Sequence, residues 1–410
     1  MKYKILISAY CMDPFRGSEP GVGWNWAFEI SKLNRFDVFV ITQKKNKKSI
    51  EKFIRNKNTK INFIYYDLPN SFWFLKKKWI LAEDKFSYIY YTFWQLGAFL
   101  KIKKINLIHK FYKIHHITIG SVRLPSFMGL INSNLILGPL GGGENIKYTL
   151  RQRFGFKGIL KSIMRDFANL YVKISPLMLL TFFTTKTIYV RTQQTKNLIP
   201  KIFHKKIKML NEVPLLNNYK INYKKNYRKN FTKFKILFVG RLYYGKGVDL
   251  VLDTFKKISL SNKDVSLTIL GDGSERDRFV EISKSLSIFQ KIIWIKKIKK
   301  KKMNEFYQQH DLLFFPSYYD SGGNVLYEAS YNMLPVAVLD TGAANYLFLK
   351  NKKNQSVSIL QSRSEIIDKF EKNISLIIKN RKLRYSLQKK NKTNLSNHLI
   401  YKKIKKIYNF

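Results

Sequence analysis

The chain predicts an α/β protein made of two Rossmann-like domains that face each other across a cleft, each built on a parallel sheet. Three observations predict it. Short apolar runs alternate with helical patterns; a polar, basic stretch at 217–233 interrupts that rhythm, which then restarts; and glycine turns follow several of the apolar runs. Strands alternating with helices require parallel sheets covered on both faces, and two such series separated by a linker require two domains.

The first series opens with a strand at 4–9, a glycine-bearing loop at 13–23, a helix at 24–33 and a strand at 37–42, a βαβ unit with glycines at its first turn. Apolar runs at 61–66, 114–119 and 135–137 read as further strands, and 188–191 as the strand that closes the sheet. The second series has strands at 234–239, 265–270, 292–295, 312–315 and 336–339, with helices at 248–258 and 274–287. The Lys-rich end, 381–410, reads as an amphipathic helix with Leu387, Leu395, Leu399, Ile404 and Ile407 on its apolar face. The expected domains are 1–212 and 213–385, with 386–410 packing back towards the first.

With 410 residues, 45% of them hydrophobic, the chain can bury two ordinary cores. Cys11 is the single cysteine, so no intrachain disulfide or Cys-based zinc site can form, which fits a reducing, cytoplasmic setting. Lys and Arg number 76 against 26 Asp and Glu, a formal charge of +50. Two readings are open: attraction to a polyanion such as nucleic acid or an anionic membrane, or drift of composition towards Lys, Asn, Ile, Tyr and Phe. No apolar run reaches the roughly 20 residues that a membrane-crossing helix needs.

The chemistry concentrates in two segments. Pro316-Ser-Tyr-Tyr-Asp-Ser-Gly-Gly-Asn-Val-Leu-Tyr-Glu328 sets Asp320 and Glu328 eight positions apart across Gly322 and Gly323, with Asn324 opening a helix. A strand, a glycine turn and a helix N-terminus make an anion site, because unpaired N–H groups point out of the helix end. Carboxylates beside it suit sugar or ribose hydroxyls, so the segment suggests a nucleotide-sugar pocket. The other segment, Phe238-Val-Gly-Arg-Leu-Tyr-Tyr-Gly-Lys-Gly247, follows a strand; Gly240 allows a tight turn, and Arg241 and Lys246 suit a diphosphate. In the first domain, Gly21 and Gly23 belong to one glycine loop and Gly138–Gly143 to another. His115 and His116 lie on a strand, where neighbours point to opposite faces, so one of them can face a given cleft; a lone strand histidine is more often structural than catalytic. No Asp-x-Asp pair or His cluster has metal-ligand spacing, which disfavours a metal-dependent transferase.

Together these motifs resemble the family 4 glycosyltransferases, retaining enzymes of the GT-B fold. Gly240–Gly247 is similar to the family's Gly-Arg-Leu-x-x-x-Lys-Gly. Pro316-Ser317 followed by Asp320 and Glu328 is similar to its Pro-Ser and paired-acid motif, with Asp where Glu is commoner. The resemblance covers roughly 234–345, and the Gly17–Gly23 and Gly138–Glu144 loops resemble a bacterial subgroup linked to surface polysaccharide assembly. It implies a sugar moved from a nucleotide-diphosphate sugar to a saccharide acceptor, with a lipid-linked saccharide as the expected form, without a cofactor or metal. It further implies that Arg241 and Lys246 hold the diphosphate and Glu328 the ribose. Asp320 would contact the donor sugar or assist at the reacting face. Gly322 and Gly323 would offer N–H groups to sugar and phosphate, and His115 or His116 would lie near the transferred sugar. A basic nucleic-acid-binding protein, or a hydrolase or phosphorylase on the same fold, are the alternatives; dispersed lysines and the absence of a nucleic-acid module argue against the first.

One further segment stands out. Residues 145–185 carry Lys147, Arg151, Arg153, Lys157, Lys161 and Arg165 among apolar residues that recur at helical spacing near 159–167. Such a segment can lie in the interface plane of an anionic membrane, placing the protein peripherally on its cytoplasmic face, or it can be a core helix pair with a solvated basic face.

Overall fold

The computed structural model describes residues 2–55, 59–76, 88–210, 233–299, 302–344, 355–393 and 404–408. The expected linker at 217–233 lies, but for Lys233, outside the described residues. Two units result. The first comprises Met1–Gly143, Met164–Leu215 and His398–Phe410; the second comprises Glu144–Ile163 and Leu216–Asn397.

In the first unit, strands β1 (Tyr3–Ser8), β2 (Phe36–Thr42), β3 (Ile61–Tyr65), β4 (Lys113–His116), β5 (Leu135–Leu140), β6 (Thr185–Val190) and β7 (Ile207–Met209) form one sheet in the order β3-β2-β1-β4-β5-β6-β7. Every pairing is parallel. Between the strands run α1 (Ser18–Ser31), α2 (Lys47–Ile54), α3 (Tyr88–His109), α4 (Phe156–Ile174, of which 164–174 belong to this unit), α5 (Pro176–Phe183) and α6 (Gln193–Leu198). Alternation along β1 feeds two cores. Ile5 and Ile7 pack with Trp26, Ala27 and Ile30 of α1, whereas Leu6 packs with Tyr91, Trp94 and Ala98 of α3. The strand expected to close the sheet is not its edge: β7 pairs beyond β6.

The second unit repeats this plan. Strands β8 (Phe234–Val239), β9 (Val265–Leu270), β10 (Ile292–Ile295), β11 (Leu312–Phe315), β12 (Val336–Leu339) and β13 (Ser356–Val357) lie in the order β10-β9-β8-β11-β12-β13, again all parallel. Helices α7 (Val248–Ser261), α8 (Arg276–Ser285), α9 (Met303–Gln308), α10 (Asn324–Tyr331), α11 (Arg363–Lys379) and α12 (Arg381–Thr393) complete it. Arg363 at the start of α11 clamps α7, donating to Asp249 and to Asp253 at 2.6 Å each, and Tyr318 also donates to Asp249. In both sheets the chain winds outward from a central strand one way, then returns to wind the other. β1/β4 and β8/β11 are the reversal points, and open α/β sheets bind ligands outside the carboxyl ends of such pairs.

The elements depart from the sequence reading in instructive places. The first glycine loop is already helix: α1 begins at Ser18, six residues before the expected start. Pro20 is tolerated there because the first N–H groups of a helix have no intrahelical acceptor. Residues 144–163 join the second unit because Ile146, Leu150 and Phe154 are buried in its core with Phe238, Leu242 and Tyr318. The basic end is divided: α12 belongs to the second unit, and 398–410 to the first, where Ile404 and Tyr408 are fully buried against Ile5 and Phe36.

Gly247 caps α7 with φ +68°, and a Cβ there would stand 2.0 Å from the Pro316 carbonyl oxygen. A left-handed backbone alone costs a non-glycine residue roughly 1–2 kcal/mol. Gly247→Ala is therefore expected to lower the calorimetric unfolding temperature clearly; a transition unchanged from that of the parent chain would contradict the strain.

Candidate functional site

The loops that leave β8 and β11 are knitted together. The Gly245 carbonyl accepts N–H bonds from Tyr318 and Tyr319 at 3.1 Å each and a hydroxyl bond from Ser317 at 3.3 Å. This places Lys246 against Asp320. The Lys246 ammonium donates to Asp320 Oδ2 at 2.6 Å and to the Tyr319 carbonyl at 3.4 Å, and stands over the Phe315 ring. Asp320 Oδ1 accepts the Gly323 N–H at 2.7 Å, and Gly323, at φ +65°, caps α10. The carboxylate thus sits at a helix N-terminus, where negative charge is favoured. The two side chains keep 13% and 20% of their surface exposed.

Burial opposes charge on both partners, and each overcomes it through the other. Asp320, by charge and hydrogen bond, together with Tyr243, holds the Lys246 ammonium above its ordinary range. For Asp320, burial pushes upward, but Lys246 and the N–H groups of Gly323 and Gly322 hold the carboxyl below its usual range. Arg241 is exposed beside them, its guanidinium over the Tyr243 ring, near enough to repel the Lys246 charge.

Glu328 lies on the second turn of α10 and accepts from the Tyr307 hydroxyl of α9 at 2.8 Å. Asn324 is the first residue of that helix, and its Oδ1 is buried without a hydrogen-bond partner. Gly240 follows β8, and a Cβ added to it would meet nothing nearer than 3.3 Å, so the demand for glycine falls on Gly247 rather than on Gly240. Gly240, Arg241, Lys246, Asp320, Gly322, Gly323, Asn324 and Glu328 are thus gathered on the loops after β8 and β11 and on α10. The resemblance implied a Gly323 N–H presented to a ligand; in the structure it is taken by Asp320. Sequence reasoning missed the Lys246–Asp320 pair and Tyr307, since neither contact has a fixed spacing along the chain.

The first unit holds the other candidates. His115 and His116 point to opposite faces of β4, and both are buried. His115 Nε2 lies 2.8 Å from the Gly138 carbonyl, which can only accept, so Nε2 carries the proton and Nδ1 accepts from the Tyr408 hydroxyl. His116 Nδ1 meets Ser126 Oγ at 3.0 Å and its Nε2 meets the Tyr91 hydroxyl at 3.1 Å. Burial drives His115 down to about 3 and His116 down to about 4. Gly21 and Gly23 lie inside α1, where they admit close packing: a Cβ on Gly23 would stand 2.7 Å from the Cys11 carbonyl oxygen and from a Thr118 methyl. In the triple-glycine loop, the Gly142 carbonyl accepts from Arg123 and from Arg165, and Gly143 donates to Thr195. Among the described residues no group of three His, Cys, Asp or Glu could hold a metal ion.

Residues 220–394 match the glycosyl transferases group 1 family. That segment contains every second-unit candidate named above. A 107-residue stretch is 32% identical to an uncharacterized glycosyltransferase of Methanocaldococcus jannaschii, covering 26% of this chain and 27% of that relative. An uncharacterized glycosyltransferase of Haemophilus influenzae is 22% identical over 67% of this chain and 69% of its own length. The fold is similar to that of WaaG, a glycosyltransferase involved in lipopolysaccharide biosynthesis, over 99% of this chain and 100% of that one, with a TM-score of 0.58 and 15% identity. The two doubly wound sheets share the fold of WaaG, and the segment 220–394 is similar to group 1 glycosyl transferases.

The histidines carry a pH signature. In the unfolded chain they take up protons near pH 6.5, but in the folded chain only near 3 and 4. Their contribution to stability is full above about pH 6.5 and is lost as pH falls towards the folded values, by about 1.4 kcal/mol per pH unit for each ring. Thermal unfolding followed from pH 7 to 4.5 should show a shallower decline for His116→Gln than for the parent chain; parallel declines would contradict a neutral buried ring.

Proposed function

We propose that this protein is a retaining, metal-independent glycosyltransferase that moves a hexosyl group from a nucleotide-diphosphate sugar to a saccharide acceptor, lipid-linked, in surface polysaccharide biosynthesis. The observation that carries the proposal is the Lys246–Asp320 pair, held at the reversal point of a parallel sheet inside the segment that matches the family. The involvement of WaaG in lipopolysaccharide biosynthesis supports the surface-polysaccharide setting.

In this reading the bond between the sugar's anomeric carbon and the diphosphate oxygen breaks. The diphosphate keeps the electron pair and takes up the proton that the acceptor hydroxyl gives up as its oxygen forms the new bond to the same carbon. Negative charge grows on the leaving diphosphate, and preorganised cations there lower the barrier. Lys246 is oriented for that task by Asp320, and Arg241 adds a planar fork from the exposed end of the same turn. Glu328, steadied by Tyr307, accepts from the vicinal ribose hydroxyls. The N-terminal unit takes the acceptor, and the protein works in the cytoplasm as a peripheral membrane protein. Metal independence rests on the two cations taking the place of a divalent ion on the diphosphate.

A screen of nucleotide-diphosphate sugars for thermal stabilisation and turnover tests the class; no response to any of them would sink it. Lys246→Ala should lower turnover on the order of 10²-fold or more. Because this leaves a carboxylate unpaired, Lys246→Ala with Asp320→Asn is the companion variant that relieves it. Near-normal turnover in either would refute the assignment. Glu328→Gln should raise the donor KM and leave the acceptor KM in place, and equal donor affinity would exclude the ribose contact. Turnover should also persist in excess chelator; strict dependence on added Mg²⁺ or Mn²⁺ would overturn the metal-independent reading.

A further inference from the structure

The sequence leaves open whether the basic, apolar segment around α4 is core or membrane surface, and the exposures within the first unit bear on that choice. From Met164 onward α4 buries its small and polar side: Asn169 is 6% exposed and accepts from Arg123 at 2.9 Å, and Val172 is fully buried. The large apolar side chains point out. Met164 is 43% exposed, Phe167 69%, Leu170 58%, Tyr171 50% and Ile174 67%. They recur at three- and four-residue spacing, so they form one stripe along the helix. α5, which follows after Ser175, also leaves a large ring outside, Phe183 at 62% exposed. Scattered surface leucines are ordinary; a contiguous apolar stripe on a helix is not, and marks a surface that something else covers.

We propose that this face of α4 and α5 docks on an anionic lipid bilayer, with the helices in the interface plane. Charge selects this occupant. Besides Arg165, which donates to the Gly142 carbonyl, α4 carries Lys157, Lys161 and Lys173 against one acid, Asp166, in a chain of net charge +50. At the end of α5, Lys206 donates to the carbonyls of Phe182 and Phe183, which puts an ammonium at the C-terminus of that helix. Apolar side chains enter the acyl boundary while cations meet headgroup phosphates. Neither helix could cross the bilayer: among the described residues no helix is long and apolar enough. The surface deepens the glycosyl-transfer reading by bringing the chain to where a lipid-linked acceptor resides, and rests on that reading only for its purpose.

The test is co-sedimentation of the full chain at about 0.15 M salt with phosphatidylcholine vesicles, with and without about one third phosphatidylglycerol. A triple variant, Phe167→Ser, Leu170→Ser and Ile174→Ser, changes exposed residues alone, and its unfolding temperature serves as the control for folding. The parent chain is expected to sediment at least tenfold better with the anionic vesicles, and the triple variant to lose that gain. Equal binding to both vesicle types, or full binding by a folded triple variant, overturns the proposal. So does a parent chain that ignores vesicles but forms a dimer abolished by the triple change, which would make the stripe a contact between copies. Nucleotide-sugar stabilisation, measured on the same samples, separates the two ideas: vesicle binding without it would retain the docking face and discard the transferase reading.

Discussion

The reversal of strand order between β8 and β11 is the constraint on which the candidate site depends. Parallel neighbours that send their following segments to opposite faces leave a gap at their carboxyl ends, and the chain must close it without a continuing ladder of backbone bonds. Here the gap is closed locally. One carbonyl, Gly245, serves the loop after β11, and one ion pair, Lys246–Asp320, spans the two loops. The left-handed residues Gly247 and Gly323 then start α7 and α10 from that junction, so both helix N-termini arise where the charges are.

Electrostatics in this chain separates into two regimes. Most of its 76 cationic side chains belong to a composition spread through the sequence, and charge alone cannot distinguish one from another. Lys246 is distinguished by burial, by a short contact to a carboxylate that a helix end also stabilises, and by a rise of its ammonium above the ordinary range. A buried pair of this kind is weak as a source of stability, since desolvation offsets most of the attraction, but costly to break from one side. It suits a role in holding a cation in one place. The first unit answers the same sheet-edge problem differently, with two neutral histidines whose nitrogens all find neighbours.

Hydrophobic capture explains the division of the chain. Residues 144–163 follow the first unit's triple-glycine loop, yet Ile146, Leu150 and Phe154 have their burial sites among Phe238, Leu242 and Tyr318. At the other end, Ile404 and Tyr408 are taken up by the first unit's core, and the Tyr408 hydroxyl gives buried His115 the donor that its proton-free nitrogen requires. Sequence continuity had suggested a single C-terminal helix. Apolar side chains belong to whichever core removes them from water, whatever their distance along the chain.

The sequence by itself determined the fold class, the strands of both sheets at nearly every position, and the two segments that bear the candidate chemistry. These features are local: strand periodicity, glycine turns and motif spacing are properties of neighbours in the chain. It did not determine that Pro20 lies within a helix, that β7 extends the first sheet, or that β13 ends the second. Only the tertiary structure decided that Lys246 is paired with Asp320, that Tyr307 holds Glu328, and that both histidines are buried. The partners in each case come from different elements, tens or hundreds of residues apart, brought together by packing. The same reason separates the two faces of α4. Its amphipathic spacing is legible in the residues, but which face meets water depends on what the rest of the fold can cover, and here it is the larger apolar side chains that remain exposed.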